Sequence, residues 1–151
     1  MKLYIAGPMT WHPQYNYPAF DEMAAWLREQ GYEVISPSEL DNEQDRAAAL
    51  DSLDGDPATY GGDSTWGDFL SRDVKLIADI GLDGIVVLPG WHKSRGARLE
   101  TFVGGALGGL PILRRVQLMD REFVLDEVPE LDLFRAWTGD PTLQARRRVY
   151  A

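Results

Sequence analysis

The residues best suited to chemistry lie between 89 and 100, which read Pro-Gly-Trp-His-Lys-Ser-Arg-Gly-Ala-Arg-Leu-Glu. A hydroxyl, Ser94, sits beside Arg95 and Gly96, with Lys93 and Arg98 nearby, and a carboxylate, Glu100, closes the run. A serine hydroxyl, an arginine fork and loop N–H groups together make a phosphate site in miniature. A carboxylate in the first turn of a helix is kept ionised by the helix dipole, which suits a nucleophile. Read blandly, the same glutamate only complements the dipole, and the cations belong to a solvated loop. Asp73, in Ser71-Arg72-Asp73, is either a second functional carboxylate or a surface partner for Arg72 or Lys75. One ionised carboxylate and one able to deliver a proton form the recurring arrangement for cleaving a glycosidic bond. Tyr4 precedes Gly7-Pro8 closely and offers a phenol to hold the nucleophile's rotamer, or else is a core tyrosine with a satisfied hydroxyl.

These side chains need elements to position them, and the hydrophobic pattern provides strands alternating with helices. Strands are expected at 3–6, 32–36, 85–88 and 110–113, each a short apolar run bounded by glycine, proline or charge. Residues 20–30 read as a helix because Phe20, Met23, Ala24 and Leu27 recur at the amphipathic period, with Gly31 as the stop. Residues 66–79 read as a helix through Phe69, Leu70, Val74 and Ile77, and the Gly/Ala-rich stretch 99–107 as a closely packed one. The resulting order, βαβ(insert)αβαβ, predicts a parallel sheet covered on both faces, in a single domain spanning 1–151. The insert, about 40–67, is acidic and glycine-rich; it is expected to hold a short helix at 43–53 and then a long loop or lid. Toward the end, 122–125 reads as a short strand, 131–137 as a short helix, and Arg146-Arg147-Arg148 as a solvated tail. The 89–100 run therefore leaves a strand's carboxyl end and enters a helix, the edge where open α/β sheets bind ligands.

Composition narrows the function classes. The chain has 151 residues, and a formal net charge of −9 argues against non-specific nucleic-acid binding and against docking on an anionic membrane surface. With no cysteine, thiolate nucleophiles, disulfides and Cys-ligated metals are excluded. His12 and His92 are the only histidines, too few for a His-rich metal site, and no cofactor is expected. Neither a P-loop, nor Gly-x-Gly-x-x-Gly after the first strand, nor a Gly-x-Ser-x-Gly elbow is present. The start is interrupted too early by Pro8 for a signal peptide, and no apolar run approaches the roughly 20 residues of a membrane span. A cytoplasmic protein is the expectation.

Taken in order, Tyr4-Ile5-Ala6-Gly7-Pro8-Met9, Arg72-Asp73 and Ser94-x-Gly96-x-x-x-Glu100 resemble the nucleoside 2-deoxyribosyltransferase-like superfamily over residues 3 to 113. Within it the chain looks most like small bacterial and phage domain proteins carrying Tyr-Ile-Ala-Gly-Pro-Met and Gly-Ala-x-x-Glu. The resemblance implies a flavodoxin-like, Rossmann-like three-layer sandwich and cleavage of the N-glycosidic bond of a 2′-deoxynucleoside or its monophosphate. By matching position, Glu100 looks like the nucleophile on C1′. Asp73 looks like the residue that contacts the sugar or assists leaving-base protonation, and Tyr4 like the one that orients the glutamate. Gly7, Pro8 and Met9 would lie against the substrate, with Gly7 letting base or sugar approach the backbone. Transferases of the superfamily tend to carry an aspartate six residues before the nucleophile. The monophosphate hydrolases tend to carry a serine, and here that position is Ser94. With Arg95 and Gly96 alongside, a 5′-phosphate is the expected group, so a deoxynucleoside 5′-monophosphate N-glycosidase is the leading reading. A deoxyribosyltransferase and a non-catalytic nucleotide-binding module are the alternatives. The loop ahead of Glu100, with Trp91-His92-Lys93, is longer than in the compact hydrolases. Trp11, Tyr15, Tyr17 and Trp66 are candidates to stack on the base or to pack the core, and a homodimer or higher homo-oligomer is implied.

Overall fold

Leu3 to Ala6 are all apolar, and the strand they form, β1 (Lys2–Ala6), is buried on both faces, as the interior of a parallel sheet requires. The computed structural model describes residues 1–139, so the tail expected at Arg146-Arg147-Arg148 lies outside the described residues. Around β1 run β2 (Glu33–Ile35), β3 (Gly84–Val87), β4 (Ile112–Gln117) and β5 (Phe123–Glu127), in the order β2-β1-β3-β4-β5. The first four strands are mutually parallel where they pair, and β5 is antiparallel to β4. The expected parallel sheet thus gains a reversed edge. Its cause is a short turn closed by the Leu118 N–H on the Glu122 carbonyl, which can join only antiparallel neighbours.

The helices are α1 (Tyr17–Glu29), α2 (Pro37–Leu40), α3 (Glu43–Asp51), α4 (Trp66–Asp79), α5 (Arg95–Thr101) and α6 (Glu130–Thr138). On one face α1 packs Phe20, Met23, Ala24 and Leu27 against Leu3, Ile5, Val86 and Leu88. On the other, Ile77 of α4, Ala97 of α5 and Ala136 of α6 cover Tyr4, Ala6, Ile85, Val87 and Ile112. The result is a flavodoxin-like α/β sandwich of three layers. Among the described residues no helix is long and apolar enough to cross a membrane.

The chain leaves β1 toward β2 on one side and leaves β3 toward β4 on the other. That reversal opens a crevice at the carboxyl ends of β1 and β3. The loops there are Gly7-Pro8-Met9 and Pro89 to Ser94. α5 starts at Arg95, four residues before the expected helix start, because Ser94 caps it by accepting the Ala97 N–H. Beyond Thr101 the helix widens into a π-type stretch, Phe102–Leu107. A Cβ on Gly104 would lie 2.4 Å from the Ile85 side chain, so glycine lets this helix press onto β3.

The insert is an ordered layer. Ala49 of α3 packs with Tyr15 and Tyr17, and the Trp11 and Gln14 N–H groups donate to the Gly55 and Ser52 carbonyls. This binds the insert to the loop after β1, where Gln14, Tyr15 and Asn16 hold consecutive left-handed conformations, φ 55, 48 and 62. Such a run of non-glycine residues is costly and persists only because the surroundings enforce it.

Candidate active site

Three of the side chains singled out from sequence meet beneath the crevice. Tyr4 points from β1 toward the α4/α5 layer, and its hydroxyl donates to Glu100 Oε1 at 2.9 Å. α5 turns Ala97, Glu100, Thr101 and Gly104 to the sheet, the i, i+3, i+4, i+7 stripe of one helix face. α4 likewise turns Asp73 inward with Ile77, one turn apart. Its start is fixed by a capping box, Thr65 with Asp68, which sets the rotation of the helix. Tyr4 is fully buried, and Glu100 and Asp73 are each 6% exposed. Asp73 is close enough for its charge to act on both Tyr4 and Glu100.

This placement corrects the expected electrostatics of Glu100. It stands in the second turn of α5, six residues past the cap, where the dipole of the helix start has faded. Burial, followed by the neighbouring Asp73 charge, pushes its carboxyl up to about 8, against the pull of Tyr4 and Arg72. Burial raises Asp73 as well, opposed by the Arg72 guanidinium. Tyr4 is raised by burial and by the two carboxylates, so it stays a donor. Two buried carboxyls this close resist being ionised together, so the pair holds on to a proton into the neutral range. An attacking oxygen and a deliverable proton are thereby present in a single buried site.

Arg72 does pair with Asp73, Nε donating to Oδ1 at 2.7 Å, and this coexists with the inward placement of the carboxylate. Its other end donates to Asp41 of the insert, and Asp41 accepts from the Tyr17 hydroxyl. Asp41 was not visible as a site residue, because nothing in the acidic insert sets it apart from its neighbours. Asp73 had a usable signal: it interrupts an otherwise apolar helix face. A cavity of about 290 Å³ opens beside Arg72, lined in part by Asp41, Asn42, Ser64 and Phe69.

The remaining sequence candidates divide. Ser94, Arg95 and Gly96 form the start of α5; Ser94 Oγ accepts the Ala97 N–H, and its own proton remains a donor. The Arg95 guanidinium lies over the Trp66 ring at 5.0 Å, joining the starts of α4 and α5. Gly7 meets the Leu88 side chain, where a Cβ would approach to 2.8 Å, so close packing already demands glycine there. The Pro8 carbonyl accepts from the Asn16 side chain, and Met9 packs between two core clusters. Tyr15 and Tyr17 are buried and tie down the insert, Tyr15 through the Asp56 carbonyl; they are unavailable for stacking. Trp11 and Trp66 remain half exposed.

A family model described as Domain of unknown function (DUF4406) matches residues 1–113. The chain belongs to that family. The matched span holds β1, α4, α5 and every residue of the Tyr4–Asp73–Glu100 cluster, and it ends within β4. No curated protein matches the chain. Among the described residues no group of three or more His, Asp and Glu side chains has the arrangement to hold a metal ion.

Proposed function

We propose that this member of the DUF4406 family hydrolyses the N-glycosidic bond of a 2′-deoxynucleoside 5′-monophosphate, releasing free base and deoxyribose 5-phosphate. The observation that carries the reading is the buried Tyr4–Glu100–Asp73 cluster at the sheet's switch point, where Tyr4 donates to Glu100 and burial opposes ionisation of both carboxyls. The resemblance to the nucleoside 2-deoxyribosyltransferase-like superfamily gives that cluster its substrate class.

The reacting form has the proton moved from Glu100, where burial favours it, to Asp73, which leaves Glu100 ionised. A Glu100 oxygen bonds to C1′ as the C1′–N bond breaks through an oxocarbenium-like state. The bonding pair leaves on the base nitrogen, which takes the Asp73 proton. Tyr4 holds the attacking carboxylate in one rotamer through its 2.9 Å hydrogen bond. Water then attacks C1′ of the glycosyl ester, Glu100 departs as carboxylate, and the water proton returns to Asp73. A missing 2′-hydroxyl makes the cation easier to form, which favours deoxy substrates. Ser94, Arg95 and Gly96 would receive the 5′-phosphate, with the substrate lying along Gly7, Pro8 and Met9. The expected second copy has an apolar face available on α6, where Leu131 and Phe134 are exposed.

Deoxynucleoside 5′-monophosphates and the matching nucleosides, incubated with wild type and Glu100→Ala, test the reading by chromatography of free base. Release from monophosphates alone, lost in Glu100→Ala, is the expected result. Release only when a second base is supplied would replace hydrolysis by base transfer. Ligand binding with no release, unchanged by Glu100→Ala, would make the chain a nucleotide-binding module.

A further inference from the structure

Arg72 is shared between two carboxylates that belong to different parts of the chain. Its Nε faces Asp73 of the reactive pair, and its Nη1 faces Asp41 of the insert. Asp41 is almost wholly buried, with a side-chain exposure of 2%, and is fixed from its other side by the Tyr17 hydroxyl at the start of α1. Three elements are thus linked in a chain: α4 carries the guanidinium, the insert holds its far end through Asp41, and α1 steadies Asp41 through Tyr17. At Asp73 the pull of the guanidinium is opposed by the Asp41 carboxylate on its far side.

We propose that Asp41 is a positioning residue for the carboxylate pair: by holding the far end of Arg72 it limits the positive charge lent to Asp73 and, through Asp73, to Glu100. The insert then acts on the chemistry through charge, without touching substrate. Arg72 faces Asp73 and Asp41, and Phe69 of its own helix lies under its guanidinium. Asp41 feels Arg72, Tyr17, Asp45 and Arg46. The reactive pair feels Tyr4 and Arg72, and Asp73 also feels Asp41 directly, in the sense that favours its protonated form. Removing the Asp41 charge therefore leaves the Arg72 charge unopposed at the pair, which favours the ionised carboxylates.

The catalytic meaning of this coupling rests on the glycosidase reading; its electrostatics do not, and the test separates them. Side-chain carboxyl NMR titration of the whole chain reads Glu100 without substrate. In Asp41→Asn the ionised fraction of Glu100 is expected to rise, its ionised-to-protonated ratio increasing about fivefold at neutral pH. In Arg72→Gln the ratio is expected to fall. A purely structural Asp41 would leave the titration midpoint where it is, and a wild-type curve in Asp41→Asn overturns the proposal, as does a shift to higher pH. If Asp41→Asn does not fold, Asp41→Ser, which keeps an acceptor for Tyr17, carries the same expectation. Asp41→Glu restores the wild-type midpoint. The alkaline limb of kcat/KM should move with the NMR midpoint. An NMR shift without base release from any nucleotide upholds the Asp41 coupling and overturns the glycosidase reading.

Discussion

Two buried acids, Asp45 in the insert and Glu100 under the sheet edge, have nearly the same exposure and opposite chemistry. Burial pushes both upward. Asp45 is answered by the Ser64 and Tyr60 hydroxyls and by the Ser64 and Asp63 N–H groups, with the Asn42 amide added, and is held down at about 2. Glu100 is answered by one phenol and faces a second carboxylate, and rises to about 8. Depth and donors act together: Glu100 lies deeper in the fold and meets fewer donors, and both differences separate it from Asp45. A carboxylate whose lone pairs are filled is a fastener; one left nearly bare beside another acid is a reagent.

The widest separation between the two is expected in turnover. Glu100→Gln should lower kcat by at least about 10³-fold, and Asp73→Asn by about 10²-fold, in single-turnover base release. Asp45→Asn should leave the chemical step within a few-fold of wild type once folded. Equal losses in all three variants would erase the distinction.

Stability should separate them with opposite signs. Asp45→Ala strips a buried carboxylate from its donors and should cost about 3 kcal/mol in denaturant unfolding. Glu100→Gln removes a carboxyl that resists ionisation and should raise Tm by about 3 °C at alkaline pH. The linkage sign follows from the two directions. Asp45, lowered from 3.8, contributes stability that is present above about pH 4 and lost as pH falls through about 2. Glu100, raised from 4.5, contributes stability that is fully present below about pH 4.5 and lost as pH rises through about 8. The gain from Glu100→Gln should thus grow across that window, measured as Tm against pH. In activity, kcat/KM should fall above about 8 as the pair loses its last proton.

The smallest effect concerns Ser94, which holds two roles. Ser94→Ala should cost about 1 kcal/mol through the lost cap. Ser94→Asp keeps a capping side chain, so its stability should stay near wild type while the added charge lowers kcat/KM for monophosphates relative to nucleosides. Parallel losses in both variants would leave the cap as the only function of this serine.

Much of the site could be read from sequence because it lies on regular elements. The β1 run and the 66–79 period locate Tyr4 and Asp73, and the α4 bounds agree with the structure. The depth of Glu100 escaped. Arg95 and Arg98 read as a basic loop, although arginine is a good helix former and Ser94 with the Ala97 N–H makes an ordinary cap. With the helix starting at Arg95, Glu100 lies beyond the reach of the dipole that a start at Leu99 would have given it. Asp45 and Asp41 escaped for another reason. Their roles depend on partners distant in sequence, such as Ser64 and Arg72, and an acidic, glycine-rich stretch gives no periodicity from which to find them. The reversed β5 was legible as a strand but not in direction, which the short turn before it decides.

In the proposed reaction Glu100 is the nucleophile and Asp45 a fastener. Acid quenching during turnover of a deoxynucleoside 5′-monophosphate, followed by peptide mass spectrometry, tests it most directly. A deoxyribosyl-phosphate ester on Glu100, absent in Glu100→Gln and accumulating when hydrolysis is slowed in Asp73→Asn, is the predicted result. Base release from wild type with no adduct on Glu100 under any quench, or with the sugar on another carboxylate, would contradict the account.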